Sequence, residues 1–508
     1  MTVHFAKVHA AQTAGLRARI VDVETDITKK TLHAFSIVGL PDKAVEESRD
    51  RVSSAIKHTG FKSPKSKNQK VVVSLAPADL KKEGPAFDVA VSLSYLLASK
   101  DVSFDPRGKI FLGELSLDGK IRPVRGVLLA AREAKRTGFS EIFVPKENAR
   151  EAALIRGIAV FSVHTLHELL VHVSGVCQIA REKETNPGMP SAISTTAIDF
   201  SDVRGQESAK RALEIAAAGG HNIAMWGPPG TGKTMLARAC SGILPPLDFE
   251  DIVEVTGIHS VAGALLEDAI VHAPFRSPHH TSSYVSIVGG GGTPRPGEIT
   301  LAHKGVLFLD EFPEFESRVI ESLRQPLEDR LVTISRAKGT EVFPADIMLI
   351  AAFNPCPCGN RGSEKTCDCS QQSLAKYARK LSGPVMDRID MWVSVGRVET
   401  KRLSADENAE GSAAVRTRVQ KARRMQAARH KKRKLNASLS ARDLGNAAWL
   451  SPDARETLER AGEQSGISAR GFHKLIKVAR TIADLDGEDI VSKNHAMEAL
   501  QFRQKISF

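Results

Sequence analysis

Gly227, Pro228, Pro229, Gly230, Thr231, Gly232, Lys233 and Thr234 follow the spacing Gly-x-x-x-x-Gly-Lys-Ser/Thr, directly after the apolar run Ile223–Trp226. A loop of this kind between a strand and a helix aims backbone N–H groups and the helix N-terminus at phosphate oxygens. In that chemistry the Lys233 ammonium neutralises the β- and γ-phosphates of ATP, and the Thr234 hydroxyl ligates Mg²⁺. Further along, the apolar run Val306–Leu309 ends in Asp310 and Glu311. Asp310 is suited to hold the Mg²⁺, and Glu311 to orient and polarise an attacking water. Asn354 follows the next apolar run, Ile347–Ala352, where its amide can hold that water from the other side. Phosphoryl transfer also needs positive charge as the γ-phosphate leaves. Arg388 in Asp387-Arg388-Ile389-Asp390 and Arg470 in Ser468-Ala469-Arg470 are the candidates, and either can equally be a structural ion-pair arginine.

Four of the chain's six cysteines crowd into one stretch as two Cys-x-Cys pairs, Cys356/Cys358 and Cys367/Cys369. Four thiolates complete a closed tetrahedral Zn²⁺ site, and the Gly-, Asn- and Ser-rich interval between the pairs suits a knuckle loop. The one-residue spacing within each pair is tighter than usual, so a reduced, metal-free loop stiffened by Pro355 and Pro357 is the alternative. Cys177 and Cys240 read as incidental thiols. His279 and His280 are adjacent, which makes joint ligation from an extended chain awkward.

These residues require elements to hold them. At 508 residues the chain is long enough for about three domains. The first, 1–180, mixes strand-like runs (Ile20–Val23, Lys70–Leu75, Ile110–Leu112, Glu141–Val144, Ile158–Phe161) with helical stretches at Ala44–Thr59 and Val127–Thr137. A polar, Pro/Gly/Ser/Thr-rich linker spans 181–196. The second domain, 197–398, has the rhythm of a parallel αβ sheet, its strands apolar throughout as burial on both faces demands. The third, 399–508, is helical, and Leu475, Ile476, Val478, Ile482 and Leu485 recur at the spacing of one core-facing stripe.

Net charge is +12, unevenly spread. Residues 1–180 carry 27 basic and 19 acidic side chains, and 411–442 carry 11 basic and no acidic ones. The second block reads either as a solvated helix face or as a phosphate-contacting surface. Hydrophobic content of 42% excludes wholesale disorder. The sequence has no membrane-length apolar run and no secretory layout at its start, so a cytoplasmic protein is expected.

Taken together the motifs resemble those of AAA+ ATPases, and more narrowly the magnesium-chelatase-like YifB/ComM family. The order that carries the resemblance is the phosphate loop, Pro274–His280, Pro296–Ile299, Leu301–Gly305, the acidic strand end, Asn354–Gly359, and Ser382–Pro384 with Asp387–Asp390. The resemblance implies a homo-hexameric ring with nucleotide at subunit interfaces. It makes Arg388 the arginine finger given to a neighbour and Arg470 the sensor-two arginine of a helical lid. It also implies an insertion at about 275–300 and a β-hairpin at about 331–346. Arg336 and Lys338, near the hairpin turn at Gly339, become the expected DNA contacts, a plain solvent-exposed turn being the alternative.

The first domain resembles the proteolytic domain of Lon through Lys82–Asp88, Gly113–Pro123 and Val144–Asn148. Ala86 stands at the nucleophile position, and alanine has no oxygen to attack a carbonyl. No lysine occupies Val124–Ala130 either, so proteolysis is not expected. The fold class implied is α/β: a noncatalytic Lon-protease-like α+β domain, an AAA+ P-loop αβα core and a C-terminal helical lid. The function implied is an ATP-driven DNA motor, a helicase that branch-migrates recombination intermediates when DNA is integrated in natural transformation. Its expected partners are single-stranded and branched DNA and other recombination proteins. A protein-remodelling chaperone and a chelatase-type motor are the alternatives.

Overall fold

The computed structural model describes residues 4–29, 31–66, 68–186, 198–291, 294–336, 339–361, 365–381, 384–398, 409–430, 434–445, 449–464 and 466–503. They form two compact units. One is built from the first 189 residues together with Phe249–Ile270, the other from residues 190–248 and Val271 onward.

In the first unit, Phe5–Ala14 and Arg17–Lys29 pair antiparallel around the turn at Gly15, whose φ is +56°. Val21, Val23, Thr25 and Ile27 alternate inward along the second strand, the period a half-buried strand requires. The seven-stranded sheet runs Ala34–Val38, Gln69–Ala76, Arg17–Lys29, Phe5–Ala14, Lys109–Phe111, Glu141–Pro145, Ala159–Val163. Helix Asp88–Ser99 packs on this sheet with its first residue fully buried. The Asp88 carboxylate accepts from Arg51 Nε at 2.7 Å, from the Leu115 N–H at 3.1 Å and from the Ser48 hydroxyl.

Helix Phe249–Ala262 comes from the middle of the chain yet packs in this first unit. Gly257 lies so close to Leu129 that a Cβ there would stand 2.9 Å from its methyl carbon. The Gly126 N–H donates to the Ser260 hydroxyl at 3.0 Å, and Arg150 pairs with Asp268 at 2.8 Å. The sequence reading keeps 249–270 inside the second domain; an apolar helix carries no label for the surface it will cover.

The second unit is built on a five-stranded parallel sheet, ordered Phe275–Arg276, Val306–Leu309, Met348–Phe353, Ile223–Trp226, Met391–Ser394. The sequence separates a helical lid from this core, whereas the structure joins them in one unit. Ile223, Met225 and Ile350 of the sheet share a single apolar cluster with Val419, Ile476, Ile482 and Ala496 of the C-terminal helices.

The basic block forms helix Ser412–His430. Arg418 donates to Glu214 at 2.6 Å, Arg423 to the Ala217 carbonyl at 2.7 Å, and Arg429 pairs with the buried Asp484. Arg416 reaches the Gly242 carbonyl at 3.4 Å, and Lys434 pairs with Asp443 at 2.5 Å. Much of this charge therefore fastens the helix to its own unit, while Lys421, Arg424 and Arg442 remain exposed. Lys431, Lys432 and Arg433 lie outside the described residues.

Candidate active site

The register of the parallel sheet assembles the site. Trp226 pairs with Phe353, and Leu309 with Ala351, so the residues that follow each strand emerge along one edge. The phosphate loop, Asp310-Glu311 and Asn354 are those residues. Gly227 starts the loop because a Cβ there would stand 2.1 Å from the Val395 carbonyl oxygen. Gly232, at φ +89°, turns the chain into helix Lys233–Ile243. It brings no side chain to cap that helix, which leaves the first-turn N–H groups suited to an anion.

Lys233 Nζ donates to Asn354 Oδ1 at 3.1 Å and to the carbonyls of Gly227 at 2.7 Å and Pro228 at 2.8 Å. Burial lowers its pKa, and Asp310 opposes that shift. The Thr234 hydroxyl donates to Asp310 at 2.6 Å, so the two expected Mg²⁺ ligands already touch. Glu311 takes a left-handed backbone, φ +50°, which bulky residues adopt only where their surroundings hold them. Its carboxylate lies 3.0 Å from His280 Nδ1. Asn354 is held from behind by Tyr377, whose hydroxyl donates to the Asn354 carbonyl at 2.8 Å. The donor set fits MgATP: Thr234 and Asp310 would hold the ion, and Lys233 with the loop N–H groups the phosphates. A bound Mg²⁺ supplies electrophilic charge on the phosphates.

Arg388 and Arg470 converge on one carboxylate, that of Glu328. Arg470 reaches it at 2.5 Å, and Arg388 pairs with its other oxygen while also donating to the Pro384 carbonyl at 2.6 Å. Only 8% of Arg388 is exposed. Asp390, two residues on, accepts from the Asn222 N–H at 3.0 Å and so ties its loop to the start of the phosphate-loop strand. Sequence reasoning passed over Glu328 and Tyr377, since no local motif surrounds them, and it named His280 within Pro274–His280 without giving it a partner.

The four cysteine sulfurs lie within 4.8 Å of one another. Cys356 is 3.4 Å from Cys358 and 3.7 Å from Cys367, and Cys358 is 3.6 Å from Cys367. Such separations match the edges of a tetrahedron with metal–sulfur bonds of about 2.3 Å. The Asn360 N–H, ahead of the neighbouring thiols, pulls Cys358 down to about 6. This loop touches the phosphate loop: at Gly359, φ +78°, a Cβ would stand 2.7 Å from the Pro229 ring. The expected hairpin is present, Leu331–Arg336 pairing with Gly339–Pro344. Arg336 ends its first strand, and Lys338 lies outside the described residues. The expected insertion contains the short helices Tyr284–Val288 and Glu298–Leu301. Among the described residues no helix is long and apolar enough to cross a membrane.

Three family models match the chain. "Magnesium chelatase, subunit ChlI" covers residues 199–403, "Subunit ChlI of Mg-chelatase" 23–148, and "Magnesium chelatase, subunit ChlI C-terminal" 409–503. Among curated proteins, the uncharacterized protein YifB of Salmonella typhimurium (strain LT2) is 40% identical over 502 residues, 98% of this chain and 97% of the relative. Competence protein ComM of Haemophilus influenzae (strain Rd) is 38% identical over 514 residues, 99% and 98% of the two chains. The magnesium-chelatase 67 kDa subunit of Chlorobaculum parvum is 29% identical over 164 residues, 31% of this chain and 23% of that one. With an ATPase site of this geometry and full-length kinship at this level, the chain belongs to the YifB/ComM family of magnesium-chelatase-like AAA+ ATPases.

Proposed function

We propose that the chain is a DNA motor: a hexameric ATPase whose turnover drives branch migration of recombination intermediates during the uptake and integration of DNA. The observation that carries this reading is the short helix Arg324–Asp329. At one end Gln325 bonds the hairpin strand through Thr333, accepting from its N–H at 3.0 Å and donating to its hydroxyl at 2.9 Å. At the other end Glu328 holds Arg388 and Arg470. A force on the hairpin thus has a short, hydrogen-bonded route to the two arginines that phosphoryl transfer needs. Arg388 remains the proposed arginine finger for a neighbouring subunit's ATP and Arg470 the proposed sensor-two arginine, both resting on Glu328 here. Arg336 and Lys338 remain the proposed DNA contacts. The exposed lysines of the first unit, Lys57, Lys62 and Lys70, add positive charge for single-stranded or branched DNA. A relative that bears the name competence protein supports the same direction, and other recombination proteins are the partners such a motor would meet in the cytoplasm.

The cysteine cluster is proposed to hold structural Zn²⁺, four thiolates leaving no open position for catalysis. Replacing Cys367 and Cys369 by Ser should take zinc content from one per chain to none. Full retention would mean the loop folds without it.

The deciding experiment combines purified protein with a four-way DNA junction, ATP and Mg²⁺ across a salt series. DNA-stimulated hydrolysis and junction products that require ATP support the motor, and affinity should fall steeply with salt because phosphates dominate the contact. Hydrolysis that ignores DNA, with no junction product, would turn the reading to a protein-remodelling chaperone.

A further inference from the structure

The cysteine cluster meets the nucleotide site through residues on both of its sides. Cys356 follows Asn354 by two positions and is fully buried. The Gly359 N–H donates to the Cys356 carbonyl at 2.9 Å, a tight turn that carries Gly359 back toward the phosphate loop. A Cβ at Gly359 would stand 2.7 Å from the Pro229 ring and 3.8 Å from the side-chain amide carbon of Asn354, and the φ of +78° there favours glycine. Beyond the cluster, helix Gln371–Leu381 begins two residues after Cys369. Its Tyr377 donates to the Asn354 carbonyl at 2.8 Å, and its Lys380 to the carbonyl of Pro313, three residues past Asp310.

The two cysteine pairs therefore join two arms that both rest on Asn354, and Asn354 Oδ1 accepts from Lys233 at 3.1 Å. Thiolates as close as Cys356, Cys358 and Cys367 repel one another, and a divalent cation among them turns that repulsion into attraction. Metal at the cluster then closes both arms into one loop, because ligation free energy is available as ordering free energy for the chain that supplies the ligands. The Arg361 N–H, which donates to Cys356 Sγ at 3.3 Å, supports a thiolate there.

We propose that the cysteine cluster is a metal-dependent switch on ATP binding: Zn²⁺ held by Cys356, Cys358, Cys367 and Cys369 keeps Gly359 against Pro229 and Asn354 beside Lys233, and its loss frees the phosphate loop. The inference rests on the reading of the cluster as a Zn²⁺ site, and it adds that the site communicates with the nucleotide.

The test measures equilibrium binding of a fluorescent ATP analogue to the full chain with Mg²⁺ in excess, alongside zinc content. Stripping Zn²⁺ with a zinc-selective chelator should raise the analogue Kd at least about tenfold, and returning Zn²⁺ should restore it. By reciprocity, saturating analogue should tighten Zn²⁺ binding by the same factor, read from competition with the chelator. Gly359→Ala keeps all four cysteines but drives a Cβ toward Pro229. It should retain its Zn²⁺ and bind the analogue at least about fivefold more weakly. Unchanged analogue affinity in the stripped protein, or wild-type affinity in a zinc-loaded Gly359→Ala chain, overturns the proposal and leaves the zinc reading standing. If Gly359→Ala loses its Zn²⁺, the strip-and-restore measurement decides alone. A wild-type chain that takes up no Zn²⁺ overturns both, a distinct failure visible in the metal content before any nucleotide is added.

Discussion

Asp88 and Asp310 are both acids at the junction of a buried sheet and a helix or loop, one in each unit, and they are treated in opposite ways. Asp88 is fully buried and its oxygens are taken by Arg51, Ser48 and the Leu115 N–H. Burial outweighs those bonds and raises its pKa. Asp310 is half-buried and meets only Thr234 and the Glu311 N–H among its described contacts. The first network is saturated and can only hold the fold. The second leaves lone pairs toward the open edge of a sheet, where a metal and a phosphate could be met. Two sheet-based units thus differ less in the charges they contain than in how many of those charges are already committed.

The sharpest way to break the comparison is at Glu311. Glu311→Gln should cut ATP turnover by about 10²–10⁴-fold while leaving ATP affinity within about twofold, measured by steady-state kinetics and equilibrium binding. Persistent turnover would mean that the open edge of the sheet does its chemistry with another base.

The saturated side should fail through stability. Asp88→Ala leaves Arg51, whose side chain is only 19% exposed, without its partner. That should destabilise the first unit by about 3–5 kcal/mol, read from urea unfolding. Loss of ATP binding without loss of stability would contradict a purely structural network.

Glu151 tests the same unit by pH. It is buried beside Asn148 and the docked helix Phe249–Ala262, and burial raises it to about 7 despite hydrogen bonds with Ser260 and Asn148. A carboxyl raised in the fold binds its proton more tightly folded than unfolded. Its favourable contribution is therefore complete below the unfolded value near 4.5 and is lost as pH rises through about 7. Glu151→Gln should remove that slope, sparing about 3 kcal/mol at pH 8. Unchanged unfolding curves at pH 5 and pH 8 would place the carboxyl in water.

The smallest effect concerns the basic helix. Lys421→Ala and Arg424→Ala should each weaken DNA binding a few-fold and reduce the salt slope by about 1. Arg418→Ala, already engaged by Glu214 and Glu410, should lower stability and leave the slope unchanged. Equal slopes for all three would remove the distinction between committed and uncommitted charge.

The sequence showed most where chemistry is carried by neighbours in the chain. Lys233 and Thr234 are fixed by the glycines beside them, and Asp310, Glu311 and Asn354 by the apolar strands they follow. His280 and Glu328 were silent, because their partners lie far along the chain and enter through strand register and helix packing. The block at 411–442 was legible only in part for the same reason. Composition reports that eleven basic residues are present but not that Arg416, Arg418, Arg423 and Arg429 face carbonyls and carboxylates.

The sequence by itself determined which groups could bind a nucleotide, which four thiols could share a metal, and that Ala86 cannot serve as a nucleophile. These follow from residue type and short spacing. Only the tertiary structure decided the allegiance of Phe249–Ala262, the meeting of Arg388 and Arg470 on Glu328, and the approach of His280 to Glu311. Each depends on which surfaces pack together, and a local pattern of apolar and charged residues fits more than one answer until they do.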